Sequence, residues 1–272
     1  MKKTNIFKTA ALSTGLMISG GVVNELIING QDWEPINNQS EKVRKLSESQ
    51  VQITLSNNLR CTGSMITPKI LLTNNHCVPH SGITAKIDGN VLCDELLHTS
   101  EKHDYSLVLC PDADFTPLEF DVNPVQVGDK IYALHSNCNY YENPFCKVEK
   151  LYSAGTVLEV NELFLKHDDD TLGGSSGAPI LRDGKIVALH YGGVGNTNHD
   201  GHGLYNLSKT ARGILLDMPS IYRDQMSIKG NMMLPQNNSA PFVPAGSKVK
   251  MKWVKIKPSL WQKFKCLFKR GC

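Results

Sequence analysis

With 272 residues, 40% of them hydrophobic and 20% charged, the chain has the composition of a globular protein and the length for one large domain or two small ones. The net charge of +3 conceals an asymmetry: from Pro235 to the end there are nine Lys or Arg and no Asp or Glu, so the remainder is net acidic. Beyond the first residues no apolar run is long enough to span a bilayer, and the absence of any C-x-x-C pair argues against a zinc ribbon.

Met1-Lys2-Lys3 to Lys8, followed by Thr9 to Val23, reads as a secretory signal. It has a basic start and an apolar stretch that Ser and Gly interrupt, short for a membrane span. The small residues around Ser19-Gly20-Gly21 are its candidate cleavage site, and a short pro-segment would reach residue 26. The eight cysteines are Cys61, Cys77, Cys93, Cys110, Cys138, Cys146, Cys266 and Cys272. An even count behind a signal predicts disulfides and a secreted or periplasmic location. Pairing neighbours in sequence order would close four modest loops, although spacing alone does not fix connectivity.

Residues 24–50 read as polar and irregular, with Asn29-Gly30 and Asn37-Asn38 as turn signals. Short strands then follow one another. Val51 to Leu55 alternates apolar and polar residues. Ser64-Met65-Ile66 and Lys69 to Thr73 flank Thr67-Pro68 as in a hairpin. Ile83 to Leu92, Ser106 to Leu109, Lys130 to Leu134, Lys147 to Tyr152 and Thr156 to Val160 continue the pattern, then Phe164-Leu165, Ala178 to Leu181 and Lys185 to His190. Many short strands separated by turns such as Gly128-Asp129 and Asp183-Gly184 predict an all-β sandwich or barrels. A helix is expected over Leu207 to Leu216, with Ser208 as its N-cap. After Met218, Gly230 to Gly246 reads as a Pro/Asn-rich linker, and Lys248 to Lys269 as a basic amphipathic tail.

The chemistry centres on Thr171-Leu172-Gly173-Gly174-Ser175-Ser176-Gly177-Ala178-Pro179. Glycines there let backbone N–H groups crowd toward one point, where an oxyanion can develop. A serine needs a histidine base, itself oriented by a carboxylate. Two upstream stretches offer these. Leu72-Thr73-Asn74-Asn75-His76-Cys77 holds a histidine, which a disulfide to Cys61 would steady. His103-Asp104-Tyr105 opens an apolar strand with a carboxylate. His199-Asp200-Gly201-His202 has metal-ligand residue types but reads as a solvated loop.

The segment Cys61 to Cys77 resembles the histidine block of chymotrypsin-like serine peptidases, Gly174 to Pro179 resembles their serine block, and Asp104 lies in order between them. The closest resemblance is to the bacterial glutamyl endopeptidases, or V8-like proteases, and covers roughly residues 27–217, with Ile27 to Asp32 similar to the start of the mature chain. The resemblance implies two six-stranded antiparallel β-barrels within about 27–228, the first reaching about 125 and carrying His76 and Asp104, the second carrying Ser176 and the pocket. Ser176 is then the nucleophile, His76 the general base, Asp104 its orienter, and the N–H groups of Gly174 and Ser176 the oxyanion hole.

Val187 to Gly193 is similar to the strand lining the specificity pocket of that group, so Thr171, His190 and Gly192 are implied to bind substrate with a preference for Glu, or Asp, before the cut. An imidazole and a hydroxyl would supply donors to a buried carboxylate without a permanent charge. Asp169 and Asp170 lie beside Thr171 and leave a Lys or Arg preference open. Ser175 stands where the animal enzymes carry the aspartate that pairs with a freed N-terminus, so that ion pair is not available. Self-cleavage after Glu25 is one route to activation. The expected partners are protein or peptide substrates, with an anionic membrane or cell-envelope surface for the tail. No nucleic acid, cofactor or metal is expected, and the protein is read as a monomer. A catalytically inactive relative that binds anionic surfaces through its tail is the second reading.

Overall fold

The computed structural model describes residues 27–28, 32–56, 60–80, 84–137, 149–195 and 203–232. The signal, Glu25, Cys138, Cys146, His199, His202, the linker beyond residue 232 and the basic tail with Cys266 and Cys272 lie outside the described residues. The described segments run in the order β1 (Glu34–Pro35), a short 3-10 turn (Ile36–Asn38), α1 (Glu41–Ser47), β2 (Gln50–Leu55), β3 (Arg60–Met65), β4 (Ile70–Thr73), β5 (Ala85–Ile87), β6 (Val91–Cys93), β7 (Glu95–Ser100) and β8 (Tyr105–Leu109). There follow β9 (Phe120–Asp121), β10 (Lys130–Asn137), β11 (Glu149–Val160), β12 (Phe164–His167), β13 (Pro179–Arg182), β14 (Lys185–Gly195), β15 (Gly203–Thr210), α2 (Ala211–Asp217), α3 (Ser220–Arg223) and β16 (Ile228–Lys229).

The first sheet has the order β6-β5-β2-β3-β4-β8-β7. Its two end strands are joined through Asp94 alone, so they act as one bent strand and the sheet curls into a nearly closed barrel. In the second sheet β13-β10-β11-β12-β15-β14 closes on itself, because β13 also pairs with β14. Six antiparallel strands thus form a complete barrel, which leaves no exposed ladder between its ends. The fold is the two-barrel, chymotrypsin-like arrangement that the resemblance implies.

Alternation explains the strands: in β2 the residues Val51, Ile53 and Leu55 are buried while Gln52 and Thr54 are partly exposed. The first barrel is filled by these residues with Met65, Leu71, Ile87 and Val108, and by two disulfides, Cys61–Cys77 and Cys93–Cys110. Ile131, Ala133, Val157, Leu165 and Ile180 fill the second. A third cluster joins them, with Leu72 and Leu107 of the first barrel against Leu134, Leu181 and Leu189 of the second and Ile214 and Leu215 of α2. Leu72 in β4 shortly precedes His76, Leu107 in β8 shortly follows Asp104, and Leu189 in β14 adjoins His190.

Several local expectations need correction. Residues 24–50 are not wholly irregular: Ser40 accepts a hydrogen bond from Val43 N and starts α1. Ile83 to Leu92 is not one strand but a tight hairpin, β5 and β6, turned by Asp88 and Gly89, both at positive φ. The described part of Lys147 to Tyr152, from Glu149 on, and Thr156 to Val160 belong to one long strand, β11. The helix over Leu207 to Leu216 begins later, because Leu207 to Thr210 finish β15. Its cap is Thr210, which accepts from Gly213 N, and not Ser208.

Candidate active site

His76 sits in the turn after β4, and Asp104 in the turn before β8, two strands that are neighbours in the first barrel. Asp104 Oδ2 lies 2.9 Å from His76 Nδ1, and Asp104 Oδ1 accepts the backbone N–H of His76 at 3.0 Å. Asp104 itself adopts a left-handed conformation, φ 45°, which aspartate tolerates better than most residues. Asn74, two residues before His76, is buried and its amide donates to Asp104 O at 2.9 Å. The Cys61–Cys77 disulfide anchors the turn on its other side.

Ser176 comes from the second barrel and is held by the first. Thr62 N donates to Ser176 O at 2.8 Å, and Cys77 Sγ lies 4.0 Å from the same oxygen. The Thr62 hydroxyl donates to Gly174 O at 2.8 Å and accepts from Ser136 N at 3.2 Å. Gly177 must be glycine: it has φ 86°, and a Cβ there would lie 2.2 Å from Thr62 O. Among the described residues, the hydroxyl of Ser176 makes no hydrogen bond to His76. Around the serine, Ser175 N donates to Leu172 O and Gly177 N to His190 O, both at 2.9 Å. The N–H groups of Gly174 and Ser176 have no such acceptor among the described residues, and Gly174 has φ 99°.

The predicted pocket residues lie on the adjoining wall. His190 is in β14, 3% exposed, with its backbone paired to Gly177 and Ala178. Burial first, then the nearby rings of His167, His135 and His76, hold its pKa well below the ordinary value, so the imidazole is neutral. Its ring packs edge-on against His167 with centroids 5.8 Å apart. Thr171 is buried and its hydroxyl donates to Asn206 Oδ1 at 3.0 Å. Asn206 in turn donates to Asp169 O at 2.6 Å, which fixes Oδ1 as its accepting end. A Cβ on Gly192 would meet nothing within 4 Å, so open space adjoins this strand. Beyond Leu189, β14 pairs with β15 but no longer with β13, leaving one edge of Tyr191 to Gly193 without a strand partner among the described residues.

Asp169 and Asp170 are both committed elsewhere. Asp169 is fully buried against His167 Nδ1, whose ring also meets Ser208 Oγ at 2.7 Å. Burial lowers the His167 pKa to about 3, so this pair is a hydrogen bond from a neutral ring, not an ion pair. Asp170 accepts the backbone N–H groups of Ile28 at 2.7 Å and Asp32 at 2.9 Å, clamping the N-terminal segment to the second barrel. Burial raises its pKa to about 6, against the pull of those two bonds.

Residues 61–189 match the family model of the trypsin-like peptidase domain. The chain carries a trypsin-like peptidase domain. Its structure is similar to that of a Glu endopeptidase in complex with MPD, with 19% identity, a TM-score of 0.55, and 68% of this chain and 94% of that one covered. It is likewise similar to the Rv3671c protease from M. tuberculosis in its active form, with 17% identity, a TM-score of 0.53, and 69% and 87% covered. The inactive form of Rv3671c gives 18% identity, a TM-score of 0.53, and 69% and 95% covered. At these identities the likeness is one of fold. A comparison with curated proteins finds no match to this chain. Thr62, His135 and Asn206 complete the surroundings of the candidate site and were not foreseen, and the contact that Asn74 makes with Asp104 was not foreseen either. Their signal is three-dimensional, apart from the position of Asn74 two residues before His76.

Proposed function

We propose that this protein is a secreted serine endopeptidase that works through Ser176, His76 and Asp104 and an acyl-enzyme. The observation that carries the reading is the two-point grip of Asp104 on His76, side by side with a serine whose carbonyl Thr62 pins to the same barrel. In this reading Asp104 keeps the proton of neutral His76 on Nδ1, so that Nε2 accepts the Ser176 proton as Oγ attacks the scissile carbonyl. The oxyanion that forms is met by the N–H groups of Gly174 and Ser176; each such donor is worth on the order of 3 kcal/mol in the transition state. His76 then gives the proton to the leaving amine, leaving an ester on Ser176. Water, deprotonated by the same imidazole, releases the acid and restores the serine. A peptide would add as a strand to the open edge of Tyr191 to Gly193. A loose serine–histidine contact in the free enzyme is compatible with this, since such bonds tighten in the complex.

Glutamate, or aspartate, is the proposed residue before the cut. Asp169 and Asp170 are spent on His167 and on the N-terminal segment, so a lysine or arginine finds no free carboxylate from them. His190 offers a neutral imidazole, whose ring N–H suits a carboxylate. Thr171 contributes a hydroxyl only by turning from Asn206, so His190 carries most of the preference. Secretion is supported by the basic-apolar start and by two disulfides in the core of the first barrel. The basic tail remains proposed to meet an anionic surface, and the enzyme is proposed to act as a monomer.

Cleavage of a mixed peptide library by wild type and by Ser176→Ala tests the whole reading. Cuts after Glu or Asp that vanish in the variant are the expected result. Serine-dependent cuts after another residue would overturn the pocket assignment alone. A wild type that cuts nothing would leave the inactive, surface-binding relative as the better account.

A further inference from the structure

Ser175, the residue just before the proposed nucleophile, is fully buried, and its hydroxyl has two partners. It accepts Leu172 N–H at 3.0 Å and lies 2.8 Å from His135 Nδ1. His135 is fully buried near the end of β10, and among the described residues its Nε2 has no partner. With the ring proton on Nε2, the Ser175 hydroxyl donates to Nδ1 and a single polar atom is left unmet. The other tautomer would strand both the hydroxyl proton and the ring nitrogen. The hydroxyl therefore links β10, a rigid barrel strand, to the turn that presents the N–H groups of Gly174 and Ser176. The next residue, Ser136, reinforces the contact: its N–H binds the Thr62 hydroxyl that holds Gly174 O. A Cβ on Gly174 would lie 3.4 Å from Ser136 O.

Asp170, a buried carboxylate five residues before Ser175, meets the N-terminal segment through the amide N–H groups of Ile28 and Asp32. Among the described residues, the polar side-chain partner of Ser175 is the uncharged ring of His135. We propose that His135, acting through the Ser175 hydroxyl, is the positioning residue of the oxyanion turn. The proposal rests on the serine-peptidase reading. A turn displaced by about 1 Å from its productive geometry loses on the order of a hundredfold in rate, while ground-state substrate binding along β14 is untouched. The loss should therefore fall on kcat and not on KM.

The test compares secreted full-length wild type, Ser175→Ala, His135→Leu, His135→Asn and the Ser175→Ala/His135→Leu double variant. The substrate is the library peptide that wild type cuts fastest, with active sites counted by a serine-reactive phosphonate and folding followed by thermal unfolding. In Ser175→Ala and His135→Leu, kcat per active site should fall about tenfold to a hundredfold with KM within about threefold. His135→Asn, whose amide oxygen replaces Nδ1 as acceptor, should recover most of the loss. The double variant should be no worse than the poorer single one. Unchanged kcat in Ser175→Ala, which removes only an oxygen and is the variant most certain to fold, would overturn the proposal. So would a lowered melting temperature with normal kcat, or losses that multiply in the double variant. A wild type without serine-dependent cleavage would sink the peptidase reading and this one with it, whereas an active wild type with indifferent variants would sink the positioning role alone.

Discussion

Asp104 holds His76 at two points, through the ring Nδ1 at 2.9 Å and through the backbone N–H at 3.0 Å, so the same carboxylate sets both where the ring stands and how it faces. Asp104→Asn separates the two tasks. The amide oxygen can still accept one N–H, but the amide nitrogen is a donor and favours the tautomer with the proton on the wrong ring nitrogen. Cleavage should drop about ten-thousandfold in kcat, the size known for this kind of change, with little effect on the melting temperature. Steady-state kinetics on titrated enzyme, with a thermal scan beside it, checks both halves.

Gly177→Ala should be far more damaging than most surface changes. The new methyl group would lie 2.2 Å from Thr62 O and 2.5 Å from Thr73 Oγ1, at a φ of 86° that alanine resists. Because Thr62 is the contact that seats Ser176 against the first barrel, strain here moves the nucleophile as well as the fold. A loss of about 3 kcal/mol or more of stability is expected, together with loss of phosphonate labelling at temperatures where the variant is still folded. Urea unfolding and the labelling rate are the two measurements.

What could be read in the sequence was what is local. The strands were legible because alternation in stretches such as Val51 to Leu55 is a direct consequence of one buried face. The His76, Asp104 and Ser176 blocks were legible because each is a short contiguous pattern. The relays that hold them were not, because they join residues with no pattern between them: Ser175 to His135 spans 40 positions, Thr62 to Gly174 spans 112, and Ile28 to Asp170 spans 142. Ser208 shows the same limit at short range. A serine ahead of an apolar run reads as a cap, but β15 carries it to His167, and the hydroxyl that caps α2 is the one two residues later.

The disulfide Cys61–Cys77 closes a loop with a separation of 16 residues that contains the turn of His76. Replacing both cysteines by serine should cost about 3 kcal/mol, the chain-entropy value for a loop of this length, and should also put two hydroxyls into a buried apolar site. Loss of Cys93–Cys110, with a separation of 17, should cost a similar amount of stability. Only the first bridge borders His76, the proposed general base, so at equal folded fraction only its removal should lower kcat. Denaturant midpoints paired with active-site titration separate the two effects.

Acid should act on the second barrel through histidines and one aspartate with opposite signs. Burial holds His135 at a pKa of about 4 and His167 at about 3, below the 6.5 of an exposed imidazole. The unfolded chain therefore binds these protons first, and the stability that neutral burial contributes is full above about pH 6.5 and is lost as pH falls toward those values. Asp170 is raised from 3.8 to about 6, so its contribution is full below about pH 4 and is lost as pH rises through 6. His190, which burial also holds well below the ordinary value, adds to the same side, so three histidines outweigh one carboxyl, and unfolding free energy should fall between pH 6.5 and 5. His167→Gln should flatten that fall, because its amide no longer takes up a proton on unfolding. Asp170→Asn should steepen it, because the opposing carboxyl has gone. Urea titrations across this pH range on the three proteins give the slopes, and a steeper fall in His167→Gln would show that the ring is already protonated in the native state.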